Sequence, residues 1–100
     1  MAEARFVDNG DGSWLLEGEL GAATVPDLLA RTTPALDCKR DIQIDLKGVT
    51  RADSAGLALL VELMRASSRN GCRIVFNHVP AQLLSIARVC GLEEILPLSQ

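Results

Sequence analysis

Few residues in this chain of 100 could carry chemistry. His78 is the single histidine, and Cys38, Cys72 and Cys90 are the three cysteines. A serine hydrolase needs a nucleophile, a base and an orienting carboxylate, and in many folds it presents the serine in a G-x-S-x-G turn. The chain around Ser54 reads Ala52-Asp53-Ser54-Ala55-Gly56, which is not that turn. His78 follows a strand pattern and precedes Pro80, where a loop histidine is ordinary. A hydrolase built on Ser54 and His78 is therefore a remote reading, and no catalytic residue is expected. The cysteines are widely spaced with no CxxC pair, so with one histidine a tetrahedral zinc site lacks ligands. They read as small apolar residues of a reducing compartment. Gly10 and Gly12 stand between two strand patterns and not ahead of a helix, so neither a dinucleotide nor a P-loop fingerprint applies. No cofactor and no metal are expected.

The segment Asp53-Ser54-Ala55-Gly56-Leu57 has a more telling pattern. It opens the longest helical stretch. Asp53 or Ser54 can accept a hydrogen bond from the free N–H groups of a first helical turn. Gly56 lowers helix propensity just inside that start. It also allows another backbone, or an anion at the positive helix end, to come close. Spacing alone divides evenly between an ordinary cap with an incidental glycine and a docking point.

Composition narrows the classes. The net charge is −3, Lys39 and Lys47 are the only lysines, and the arginines are scattered. That is not the footprint of a nucleic-acid binder. There is no tyrosine, and Phe6, Trp14 and Phe76 make a poor platform for stacking bases. Trp14, on a strand pattern, reads as a core residue and not as an interface anchor. The N-terminal residues lack an apolar signal region. The most apolar stretch, 55–64, is broken by Glu62 and falls well short of the roughly 20 residues a membrane span needs. A soluble cytoplasmic protein of one domain over residues 1–100 is expected.

The elements that must hold the segment follow from periodicity. Residues 5–8 and 13–17 flank Asn9-Gly10-Asp11-Gly12, which predicts a hairpin. Thr24-Val25-Pro26-Asp27 matches a capping box, with Thr24 as N-cap and Asp27 reaching back. Val25, Leu28, Leu29, Thr32 and Leu36 then recur at helical spacing until Pro34 ends or kinks the helix. Residues 41–46 alternate strictly, and 47–52 read as a loop. Residues 54–70 form a helix stopped by Gly71, with Leu57, Leu60, Val61, Met64 and Ser68 on one face and Leu59, Leu63 and Ala66 on its flank. Residues 73–77 predict a buried strand. Pro80 starts another helix that Gly91 stops, and a short turn lies around 93–96. The order β-β-α-β-α-β-α predicts an α/β fold: a mixed sheet of about four strands, an N-terminal antiparallel hairpin, and helices mainly on one face.

Ile44-Asp45-Leu46, Val49 and Asp53-Ser54-Ala55-Gly56-Leu57 resemble the signature of STAS domains, in which a strand ending Asp-Leu leads to Asp-Ser-(Ser/Thr)-Gly-Leu at a helix start. The run from 79 to 96, with Leu83, Ala87 and Gly91-Leu92, is similar to the closing helices of that family. The resemblance implies the STAS fold and a non-catalytic protein-binding role. In anti-sigma factor antagonists of the family the residue before the glycine is a phosphorylated Ser or Thr; here it is Ala55, with Ser54 just ahead. Leu16-Glu17-Gly18-Glu19-Leu20 and 51–60 resemble more closely the MlaB-type subgroup, the small STAS subunit of bacterial phospholipid-transport complexes that maintain outer-membrane lipid asymmetry. That likeness implies binding to an ABC-type ATPase (MlaF-like), indirect association with the permease MlaE and the lipid-binding MlaD, and a position peripheral to the inner membrane. It implies that Asp53, Ser54, Ala55, Gly56, Leu57 and Leu29 form the partner surface. The alternative is an anti-sigma factor antagonist in a phosphorylation-controlled partner-switching pathway.

Overall fold

The alternation of Ile42, Ile44 and Leu46 with Gln43 and Asp45 gives a strand that must bury one face and leave the other polar. In the computed structural model, which describes residues 3–10, 12–35, 41–94, 96, 98 and 99, the three apolar side chains are buried and Gln43 is exposed. The elements are β1 (Ala4–Asp8), β2 (Ser13–Leu20), α1 (Val25–Ala35), β3 (Asp41–Ala52), α2 (Ser54–Arg69), β4 (Arg73–Asn77), α3 (Ala81–Val89) and β5 (Leu98–Ser99). They form one mixed sheet in the order β1-β2-β3-β4-β5. β1 and β2 pair antiparallel, and every later pair is parallel. This is the predicted α/β architecture, with four main strands and a two-residue fifth at the edge.

The strand order decides where the helices lie. Each parallel crossover steps one strand onward in the same direction. Right-handed connections therefore place α1, α2 and α3 on one face. The core between them takes Leu16 and Leu20 from β2, Ile44 from β3, Phe76 from β4, Leu28 from α1 and Leu60 and Leu63 from α2. Burying each such side chain contributes about 1.5–3 kcal/mol. The opposite face carries Gln43, Asp45 and Asn77; there Asn77 Nδ2 donates to Gln43 Oε1 at 3.1 Å.

Several expectations are corrected. β3 continues through Ala52, where residues 47–52 were expected as a loop. Residues 13–20 of β2 pair with 43–52 of β3 through two register shifts that absorb the two extra residues. The shifts break the alternation that would have marked a strand. The capping box at Thr24 does not form. The Thr24 hydroxyl donates to Glu19 O at 2.6 Å and accepts from Gly21 N–H at 3.1 Å, while Asp27 pairs with Arg31 at 3.0 Å. The buried stripe of α2 runs through Gly56, Leu57, Leu59, Leu60, Leu63, Ala66 and Ser67; Val61 and Met64 lie at its margin and Ser68 is exposed. Leu57 and Leu60 of the expected face and all three flank residues, Leu59, Leu63 and Ala66, thus form the contact line. Trp14 is half-buried and stacks on Phe6, with centroids 4.5 Å apart and planes 4° apart. Cys72 is buried and Cys90 exposed. Leu36, Cys38 and Asp11 lie outside the described residues.

Candidate functional site

The β3–α2 junction is held from three directions. Asp53 N–H donates to Leu20 O at 3.1 Å, which ties it to the end of β2. The Asp53 carboxylate accepts from Ala55 N–H at 2.8 Å, so Asp53, not Ser54, is the cap. The Asp53 carbonyl accepts from Gly56 N–H at 2.9 Å. On the other side of β3, Ala52 N–H donates to the side-chain oxygen of Gln82, the second residue of α3, at 3.0 Å.

Gly56 is buried against β2. A Cβ there would lie 3.0 Å from Leu20 Cβ and 3.1 Å from Leu20 O. The close backbone approach foreseen for this glycine is therefore made by the chain's own strand. Leu57 likewise points into the core. Of the residues expected at the partner surface, Gly56 and Leu57 are therefore buried. Asp53 and Ser54 are exposed, Ala55 is half-exposed, and Leu29 on α1 is half-buried against the core. α1 packs against α2, so these residues lie on adjoining elements.

The junction borders a cleft of about 300 Å³ lined by Glu19, Gly21, Thr24, Arg51, Asp53 and Gln82 among others. The cleft lies at the C-terminal ends of the parallel strands β2 and β3. Three of these contributors escaped the sequence reading. Gly21 lets the β2–α1 turn press on the cap: a Cβ there would come 3.2 Å from Asp53 Oδ2. Its only signal was a glycine directly after a strand. Arg51 was placed in a loop. Gln82 had no local signal, since its partner is 30 residues away.

His78 and Ser54 are not brought together. His78 Nδ1 lies 3.1 Å from Asp45 Oδ1, and Asp45 precedes the end of β3 by seven residues. Among the described residues no group of His, Cys, Asp and Glu is placed to hold a metal ion, and no helix is long and apolar enough to cross a membrane.

The chain thus folds as a one-sided mixed sheet covered by three helices, with a capped, exposed start to α2. A family model described as "Mlab, STAS domain" matches residues 14–97, and the chain belongs to the STAS family. An anti-sigma-B factor antagonist of Staphylococcus aureus (strain NCTC 8325 / PS 47) is 31% identical over 84 residues, covering 83% of this chain and 78% of that protein. The anti-sigma-B factor antagonist of Bacillus subtilis (strain 168) is 25% identical over 84 residues, covering 84% and 77%. Among solved structures, the anti-sigma factor antagonist SpoIIAA in its unphosphorylated form superposes with a TM-score of 0.74 at 16% identity, covering 98% of this chain and 89% of that one. An anti-sigma factor antagonist from Mycobacterium paratuberculosis gives 0.71 at 20% identity, covering 98% and 85%. These two superpositions speak to the fold.

Proposed function

We propose that this chain is a non-catalytic docking module of one domain, and that its surface at the start of α2 binds a partner protein. The observation that carries the reading is the exposed Ser54 and half-exposed Ala55 on a start fixed by Asp53, Leu20 and Gln82. A surface already ordered loses little entropy on binding. Docking then acts by differential affinity: a partner state that binds this surface better becomes more populated, with 1–3 kcal/mol a typical coupling, on the order of that found in regulated proteins.

Two partner classes have support. The first is an anti-sigma factor. The names of the curated relatives, matched over more than four-fifths of the chain, favour it. The second is an MlaF-like ABC ATPase of phospholipid transport, with the chain peripheral to the inner membrane through that partner and MlaE and MlaD further off. The description of the matching family model supports it, as does Ala55, which has no hydroxyl to phosphorylate where antagonists of the family carry one.

Pull-down of the tagged chain from its native host separates the two. A soluble anti-sigma factor supports the first, and an ABC ATPase from the membrane fraction supports the second. Ser54→Arg tests the docking surface itself. Since Asp53 makes the cap bond, the variant should fold with stability within about 0.5 kcal/mol of wild type. Partner affinity should fall by roughly a hundredfold, the scale of an interface anchor. Arg65→Glu, exposed further along α2, is the control. Circular dichroism checks folding and calorimetry the affinity. A folded Ser54→Arg protein that binds at wild-type strength removes this surface from the reading.

A further inference from the structure

Asp53 N–H points toward β2, where Leu20 O accepts it. Along an extended strand successive N–H groups point to opposite edges. The N–H of Ala52 must therefore point to the β4 side. β4 pairs with β3 only from Asp41 to Asp45, so on that side no strand of the described residues reaches Ala52. An unmet backbone donor on a buried residue is costly, and Ala52 is 4% exposed. Gln82 meets the need by placing its side-chain oxygen where a neighbouring strand would place a carbonyl.

We infer that Gln82 is a positioning residue for partner docking: it locks the last residue of β3, and with it the capped start of α2, from the side that β4 leaves open. The inference rests on the docking reading above. It is more than general stability, because the bond acts one residue ahead of Asp53, whose carboxylate and carbonyl set the first turn. Without Gln82 the junction stays tied to Leu20 alone and pivots about that edge. The core beneath, built on Leu57 and Leu60, is untouched.

The test uses Gln82→Met, which keeps length without an acceptor, and Gln82→Glu, which keeps an acceptor without the amide N–H₂. The probe is the purified anti-sigma factor or ABC ATPase identified by the pull-down, with Ser54→Arg measured beside the two variants. In the free protein Gln82→Met should raise amide exchange at Ala52 by about tenfold, the loss of one modest hydrogen bond. Its partner affinity should fall by about tenfold. Gln82→Glu should stay within about threefold on both measurements. If Ser54→Arg abolishes binding while folded Gln82→Met binds like wild type, the positioning role is wrong and the docking surface stands. If Gln82→Glu loses as much affinity as Gln82→Met while Ala52 exchange stays low, Gln82 touches the partner directly and does not act through Ala52. If Ser54→Arg binds normally, the docking reading fails together with the inference.

Discussion

Two helices of this protein begin in the same way on paper, a hydroxyl residue after a strand, yet they use that hydroxyl oppositely. Before α1, Thr24 is buried and its hydroxyl is occupied twice, donating to Glu19 O and accepting from Gly21 N–H. At α2, the hydroxyl of Ser54 is exposed and has no hydrogen-bond partner among the described residues, because Asp53 has taken the capping role. The two starts touch each other, with Leu20 and Gly21 of the first against Asp53 and Gly56 of the second. One start is a closed fitting and the other stands on it with its polar side turned outward.

Substitutions at each start can break or sharpen that contrast. Gly56→Val should have the largest effect, since it wedges the two apart where a Cβ already meets Leu20 Cβ at 3.0 Å. Overpacking of this kind costs about 1–3 kcal/mol, and urea denaturation should show a lower midpoint with an unchanged slope. Thr24→Val comes next. It keeps the shape but strands a carbonyl and an N–H, for about 1–2 kcal/mol by the same measurement; a neutral result would mean that water reaches those groups. Ser54→Ala should be the smallest, within about 0.5 kcal/mol, because no internal bond is lost. A Ser54→Ala loss equal to that of Thr24→Val would erase the distinction between the two starts.

Much of this architecture was legible in the chain. α2 and α3 are bounded by Gly71 and Gly91 as the helical spacing required. β4 spans the expected Arg73–Asn77, since Ile74 and Phe76 face the core. The Asp53–Leu57 segment was correctly placed at a helix start, but its inward and outward residues were not separable: Gly56 faces Leu20, 36 positions earlier, and only the folded sheet sets that contact. The second half of β3 was missed because its irregular pairing with β2 cancels the period-two signal. Thr24 was misread because a capping box is a local pattern, whereas its hydroxyl answers to the end of β2. Gln82 and Gly21 were invisible for the same reason: their meaning is tertiary.

The sheet order β1-β2-β3-β4-β5 has a consequence for how the chain assembles. Every strand pairs with its neighbour in sequence, so no strand has to be threaded between two that are already joined. Each step closes one hairpin or one crossover, and loop-closure entropy grows only slowly with such lengths. Relative contact order is held down accordingly, and mixed sheets of that kind fold faster than sandwiches of similar size. On this ordering β2, α1 and β3 form a unit closed within one stretch of chain, and Gln82 reaches Ala52 from a helix 30 residues further on.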